Sequence, residues 1–325
     1  MRRKAARDGK GELLVTGAAG FVGCHLVRAA AFEGWQVTAV DLRPLPADAG
    51  PVTRELRSDF AAPQVLSLVR DGRFVAVLHQ AAITNTLETD VDRLHSTNVT
   101  KAVQLARVCA DAGTVFVYAS SHSVYGRIHR HAAVPESAAD DSLICTGPLN
   151  PYGWSKLQLD RLVPEIAPGR FNWAGLRYTN VFGAGEGSKG AMASIISQLV
   201  QGAAADGAVR LFADTLTASR DYVPVEHVVD CLLRILRDPI PVGVYNLGSG
   251  HAVSFAKLLE WCSEFRAGKE LTVRLSANPI PDRYQYWTCA DMAALNKALG
   301  ISHLGLDVVH AAAEALYHDA PRGAT

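Results

Sequence analysis

The stretch that most constrains this chain is TGAAGFVG, residues 16–23. It sets Gly17, Gly20 and Gly23 three residues apart, directly after the apolar run ELLVTG (12–17) and at the start of a helical pattern over 21–33. A strand that runs into glycines and then into a helix has a physical purpose. Side chains there would block the tight turn, the approach of backbone to a pyrophosphate, and the contact of helix on strand. The first N–H groups of the helix then face an anion. A glycine triplet alone says little, but in this strand-to-helix context it predicts a dinucleotide site.

Further apolar runs follow at WQVTAVD (35–41), FVAVLH (74–79) and TVFVYAS (114–120), with a helical pattern at about 90–111 that turns Leu94, Asn98, Leu105 and Cys109 inward. Continuous apolar strands alternating with helices predict a parallel sheet covered on both faces. Ligands bind beyond the carboxyl ends of such strands. Asp41 closes the second strand, where a carboxylate accepts hydrogen bonds from both adenosine ribose hydroxyls and repels a 2′-phosphate. NAD is therefore expected over NADP, with nearby Arg43 softening the preference. Asp59, in SDF (58–60), is a candidate acceptor for the adenine amino group.

After residue 180 the rhythm changes. Short strands at 209–212 and 243–248 mix with helical patterns at about 190–202, 225–237, 254–265 and 304–317, the third with Ser254 as its N-cap. The expected fold class is α/β: a doubly wound parallel sheet followed by a smaller C-terminal α/β substrate domain. The expected division is a disordered tail at 1–10, a cofactor domain at 11–180 rejoined by parts of 213–250, and a mainly substrate-binding domain at 181–325.

The charge balance, 32 basic against 32 acidic residues, gives no support for a nucleic-acid or membrane-surface partner. No apolar run approaches the roughly 20 residues needed to span a bilayer. Six scattered cysteines without a CxxC fit reduced thiols in a cytoplasm. His129 and His131 lie two apart in a polar loop with no carboxylate or thiolate pair beside them, so they read as solvated rather than as metal ligands.

The chemistry is suggested by YGWSK (152–156). Tyr152 and Lys156 are four apart, one turn on one helix face. A phenol with a pKa near 10 is a poor base at neutral pH. A neighbouring ammonium stabilises its phenolate. Ser121, in YASSHSVYG (118–126) at the end of the fourth strand, is placed by topology to orient a substrate oxygen, with Ser123 the second candidate.

With these motifs assembled, the chain resembles the extended short-chain dehydrogenases/reductases, the NAD-dependent epimerase/dehydratase class with a Rossmann-type cofactor domain. TGAAGFVG, HQAA (79–82), YASSHSVYG, NPYGWSK (150–156), LRYTNVFG (176–183), SRDYVPVEHVVD (219–230) and YNLGSG (245–250) match family segments in order, over about residues 11–320. Within it, RYTNVFGAGEGSKGAMAS (177–194) and PDRYQYWTCADMAAL (281–295) are similar to the ADP-heptose 6-epimerases.

The resemblance implies a nucleotide-diphosphate sugar as substrate, an ADP-heptose being the nearest match, and a homo-oligomer. It makes Tyr152 and the glycine-flanked Lys189 the two acid/base groups. It sets Asn180 and Val181 at nicotinamide and substrate, and Phe212, Arg220 and Tyr284 around the diphosphate. The expected cofactor set also takes in Phe21, Val22, Leu42, Phe60, Gln80, Ala81, Ala82 and Asn98, and the substrate set takes in Met192. Departures fall at substrate-facing positions: Ala191 where the family has Ser, Gln198 where it has His, and Thr84 within a changed Ser/Thr run. No lysine follows Asp59 where the family uses one near a 2′-phosphate.

The expected reaction is transient oxidation of a sugar carbon and re-reduction on the opposite face. A 4,6-dehydratase needs an acid pair after the active-site hydroxyl, and His122 and Ser123 stand there instead. A C4-epimerase, a net-redox dehydrogenase and a catalytically silent dinucleotide-binding protein are the competing readings.

Overall fold

Five consecutive buried residues open the architecture, because the first strand is flanked on both sides. β1 (Glu12–Thr16) pairs parallel with β2 (Gln36–Asp41) on one side and with β4 (Ala76–His79) on the other. The computed structural model describes residues 10–320. The expected tail lies outside these residues except for Lys10, whose ammonium pairs with Glu33 at 2.9 Å.

The chain continues from β1 through α1 (Phe21–Phe32) and β2 to β3 (Arg54–Arg57), α2 (Pro63–Arg70) and β4. Next come α3 (Val91–His95), α4 (Ala102–Ala112), β5 (Val115–Ser121), α5 (Pro151–Leu162) and β6 (Trp173–Tyr178). β7 (Asn180–Phe182), α6 (Ile195–Ala205), β8 (Ala208–Phe212), β9 (Ser219–Pro224), α7 (Val225–Arg237) and β10 (Gly243–Leu247) follow. The last elements are β11 (Ala252–Ser254), α8 (Phe255–Phe265), β12 (Thr272–Ser276), α9 (Ala293–Leu299) and α10 (Leu306–Asp319).

The large sheet has seven strands in the order β10-β6-β5-β4-β1-β2-β3. The chain winds outward from β1 to β3 and then resumes at β4 on β1's other side. That reversal between β1 and β4 is the topological switch point, where ligands of such sheets bind. The sheet is buried on both faces. Leu14, Val40, Val77, Phe116 and Tyr118 pack with Leu66, Leu105 and Leu159 of the helices in one cluster, while their neighbours Leu13, Val15, Ala39, Leu78 and Val117 are buried as well.

Two expected helices are broken. The pattern at 90–111 splits into α3 and α4, joined by one π-helical turn at Ser96–Lys101. The pattern at 190–202 does not begin at 190. Residues Glu186–Met192 form a 3₁₀ segment interrupted at Gly190, whose φ of 56° and ψ of −127° are non-helical. α6 starts only at Ile195, where the Ser194 hydroxyl caps it. Ser254 caps α8 as expected, accepting from the Lys257 N–H at 3.1 Å.

Contacts gather the chain into two units. The first holds residues up to Ser120 with Trp154–Leu176 and Val229–Val244, and the second holds Ser121–Gly153, Arg177–Val228 and Tyr245 onward. The second unit contains the three-stranded sheet β11-β9-β7, the β12–β8 pair, and a core of Phe182, Leu199, Tyr222, Phe255, Trp261 and Val309. At its centre Asp221, fully buried, accepts from the N–H groups of Ser249, Gly250 and Ala290 and from the Ser249 hydroxyl, at 2.8–3.1 Å. No helix of the described residues is long and apolar enough to cross a membrane.

Candidate active site

The glycines divide their labour. Gly17 has a φ of +68°, and a Cβ there would stand 2.6 Å from the Ala81 N–H. A Cβ on Gly23 would stand 2.0 Å from the Gly17 carbonyl, so this glycine lets α1 lie against the loop. Gly20 is the N-cap of α1 and brings no side chain to cap it, which leaves the helix mouth to an anion. Phe21 and Val22 are half-buried on the first turn. A cradle that side chains would fill, at the switch point and at a helix N-terminus, fits a dinucleotide pyrophosphate.

Asp41 faces this loop. Its carboxylate accepts from the Ala19 N–H at 3.0 Å and from the Arg43 N–H at 2.9 Å. Arg43 reaches back to donate to the Ala19 carbonyl at 3.0 Å, and its guanidinium is 3.6 Å from Asp41. A cation thus stands directly beside the Asp41 carboxylate, and Leu42 between them is exposed. Asp59 accepts from the Ala61 N–H at 2.8 Å and from the Lys101 ammonium at 2.5 Å. Burial alone would raise its carboxyl, but the Lys101 and Ala61 hydrogen bonds outweigh that and hold it below the usual range. Lys101, on the π-helical turn, therefore supplies a lysine at Asp59 that sequence order conceals. The Phe60 ring belongs to the core, edge-on to His79 at 4.7 Å, so only its backbone remains for a ligand.

Gln80, Ala81 and Ala82 follow β4, with the Gln80 N–H bonded to the Thr16 carbonyl at 3.1 Å. Thr84 lies further along the same loop, exposed. Asn98 is spent on the protein itself. Its amide donates to the Ile83 carbonyl at 2.9 Å and to the Ser155 hydroxyl at 3.0 Å, and its oxygen accepts from the Ile83 N–H at 2.9 Å. It ties the loop after β4 to α5, one residue from Lys156. The π-helical turn carries that side chain, a distortion frequent at functional sites.

α5 carries Tyr152 and Lys156 one turn apart. Pro151 stands at its first position, and the Asn150 side chain accepts from the Gly153 N–H at 2.8 Å, which starts the helix here. Gly153 is also a close-approach residue, since a Cβ would lie 2.9 Å from the Ser123 carbonyl. Lys156 is only 2% exposed and donates to the Ala119 carbonyl at 2.8 Å. Burial pushes its pKa down to about 8, against the opposing charge of Asp160. Ser121 accepts from the Ser123 N–H and donates to the Ser123 hydroxyl, each at 3.1 Å. His122, between them, is buried with its ring 4.6 Å from Tyr125, and burial holds its pKa down to about 4. It stays neutral at pH 7 and is no acid for an elimination. His79 shares a 2.7 Å hydrogen bond with Thr16. Burial first, then the Lys156 charge, depress its pKa to about 3.

The second unit holds the other expected residues. Asn180 donates to the Asp221 carbonyl at 2.9 Å, and Val181 beside it is buried. Lys189 is not a fully solvated loop charge: its side chain is 34% exposed and its ammonium lies 3.3 Å from Glu186. Glu186, buried to 1%, also accepts from the Ser194 N–H at 2.9 Å and from the hydroxyls of Ser194 and Ser197 at 2.7 and 2.5 Å. Gln198 donates to the Ala193 carbonyl at 2.7 Å and to the Ala191 carbonyl at 3.3 Å, taking up its amide on the Lys189 segment. Ala191 and Met192 are exposed on that segment.

Arg220 donates through Nε and one Nη to the Gln285 carbonyl, at 3.3 and 3.1 Å, and lies 4.7 Å over the Tyr284 ring. Tyr284 in turn meets Phe212 edge-on at 6.0 Å. The three expected diphosphate residues are thus one cluster: a guanidinium braced on aromatic rings. Its neighbour Tyr286 donates to Asp214 at 2.5 Å, and Asn278 joins that pair at 3.1 Å. Among the described residues no group of His, Cys, Asp and Glu is arranged to hold a metal, and all six cysteines are free thiols.

Residues 13–248 match the profile of the NAD dependent epimerase/dehydratase family. The chain belongs to this family. The ADP-L-glycero-D-manno-heptose-6-epimerase of Cupriavidus pinatubonensis is 36% identical over 254 residues, 75% of this chain and 74% of that protein. The solved Helicobacter pylori ADP-L-glycero-D-manno-heptose-6-epimerase superposes with a TM-score of 0.80 at 26% identity, covering 96% of this chain and 99% of that one. MoeE5, solved with UDP-glucuronic acid and NAD, superposes with a TM-score of 0.79 at 30% identity, covering 95% and 99%. This epimerase-family chain therefore has the expected α/β fold class, with its seven-stranded Rossmann-like sheet.

Proposed function

We propose that this protein is a nucleotide-sugar epimerase acting on an ADP-heptose at C6, with Tyr152, Lys156, Ser121 and Lys189 as its acid/base and orienting groups. The observation that carries the reading is the buried Lys156, one turn from Tyr152 on a helix whose Gly153 closely approaches the Ser123 carbonyl. Relatives named as ADP-heptose 6-epimerases, two of them matching 88% of this chain and 92% of their own length, support the choice of sugar.

Gly17, Gly20, Gly23 and Asp41 would hold NAD, which when bound would supply the acceptor and donor of a hydride. Lys156 holds a positive charge near the Tyr152 hydroxyl and so favours the phenolate. Tyr152 takes the proton from the sugar hydroxyl as the carbon is oxidised. Ser121 orients the oxygen. Once the carbonyl is re-reduced from its other face, the new hydroxyl takes its proton from a second group, Lys189. Arg220 grips the diphosphate with its planar fork, since Tyr284 fixes the plane of the guanidinium. We also infer a cytoplasmic homo-oligomer.

A second reading is inversion at C4 of a UDP-sugar, for which similarity to MoeE5, solved with UDP-glucuronic acid and with UDP-glucose, supports the nucleotide. Incubation with a panel of ADP-heptoses and UDP-hexoses, read by product NMR, separates the two. A product inverted at C6 without net NADH supports the first. Inversion confined to C4 of UDP-sugars refutes it.

A further inference from the structure

We propose that Asp160 is a positioning residue for the reaction: its buried carboxylate is the counter-charge that keeps Lys156 an ammonium and holds it at the end of β5. The proposal rests on the reading above, in which Lys156 works charged beside Tyr152.

The register comes first. Tyr152, Lys156 and Asp160 fall at i, i+4 and i+8 of α5, one stripe of one helix. Lys156 is 2% exposed and Asp160 5%, so neither charge is solvated. An isolated charge in such a place is costly and tends to neutralise itself. Three consecutive residues of β5 then sort the two charges. The Tyr118 hydroxyl donates to one Asp160 oxygen at 3.2 Å and the Ser120 hydroxyl donates to the other at 2.9 Å, while the Ala119 carbonyl between them accepts from Lys156 at 2.8 Å. Hydroxyl donors favour the carboxylate form of the acid, and the carbonyl favours the ammonium form of the lysine.

Titratable groups on the elements packed about Lys156 include His79 on β4, which feels its charge, Tyr118 on β5, bonded to Asp160, and Tyr152 and Asp160 on its own α5 stripe. His79 is neutral and contributes no opposing charge. Burial drives the Lys156 pKa down and Asp160 drives it up, the balance falling at about 8. Without the carboxylate, burial is opposed by the Ala119 carbonyl but by no counter-charge from Asp160. The lysine then loses its proton at lower pH, and the neutral amine gives a phenolate no stabilisation. The sign is fixed: removing an anion beside a cation lowers the cation's pKa.

The test needs no substrate. Protein labelled with ¹⁵N-lysine is titrated by NMR, and the Lys156 signal is assigned by its loss in Lys156→Met. In Asp160→Asn its midpoint is expected to fall by ~1 pH unit or more, the shift typical of losing an adjacent opposite charge. Ser120→Ala removes one anchor of the carboxylate and keeps its charge, so its midpoint stays with the wild type. If Asp160→Asn does not fold, the smaller Asp160→Ser takes its place. A midpoint unchanged in the Asp160 variants overturns the proposal, as does an equal fall in Ser120→Ala. Turnover provides a second reading: in the Asp160 variant the alkaline limb moves to lower pH by the same amount, about a threefold loss near pH 7.5 for a one-unit shift. Unchanged turnover in Tyr152→Phe removes the acid/base reading instead, and leaves the NMR result standing.

Discussion

Replacing Glu186 by alanine attacks the segment that carries Lys189 without touching the lysine itself. Glu186 is buried to 1%, and its carboxylate accepts from the Ser194 N–H, from the Ser194 and Ser197 hydroxyls, and from Lys189. Ser197 is fully buried, so its hydroxyl is left without this acceptor, at about 1–3 kcal/mol. Ser194 is half-buried and regains water, but it is also the N-cap of α6, and a disturbed cap costs ~0.5–2 kcal/mol. Together the loss is about 1.5–5 kcal/mol, concentrated in residues 186–197. Urea unfolding measures the total. Limited proteolysis shows where it falls: cleavage at 185–193 rises at denaturant concentrations that leave the rest folded. Turnover falls as well, because the segment that carries Lys189 loosens and the lysine loses its Glu186 contact. An alanine variant within ~0.5 kcal/mol of wild type, cleaved no faster, refutes this account of the segment.

In Gly23→Ala the new Cβ meets the Gly17 carbonyl at 2.0 Å; the loop or α1 must move, costing ~1–3 kcal/mol in a urea melt and at least about tenfold in NAD affinity by calorimetry. Turnover of the wild type falls as pH rises through about 8, where Lys156 loses its proton; a pH–rate profile flat to pH 10 contradicts that role. Arg220→Lys keeps the charge and loses the planar fork over Tyr284, so KM for the nucleotide sugar rises about tenfold while kcat changes little. Equal KM values in the two proteins speak against Arg220 as the diphosphate residue.

The glycine loop, the buried strands and the Tyr152–Lys156 register were legible in the sequence, because each depends on neighbours within one or two turns. β3 was not, since RELR alternates charged residues at a sheet edge and carries no apolar signal. The partners that shape the site were hidden for a different reason. Lys101 reaches Asp59 across 42 residues and Asn98 reaches Ser155 across 57, contacts that exist only once the sheet is wound. Glu186 stands three residues before Lys189, but only the break at Gly190 and the Ser194 cap make it the anchor of the segment. Asp160 carried a weak signal, one turn beyond Lys156 on the same stripe. Its burial and its two hydroxyl donors appear only when β5 packs against α5.

Inversion of one sugar carbon without net redox requires that the cofactor end each turnover in the state in which it began. The most direct measurement is the proton NMR of an ADP-heptose incubated with the purified holoenzyme in deuterated buffer. The expected result is an equilibrium mixture of C6 epimers, no accumulation of NADH, and no deuterium at the inverted carbon, because the hydride leaves and returns within the site. Deuterium at that carbon, stoichiometric NADH, or an ADP-heptose left unchanged would contradict it.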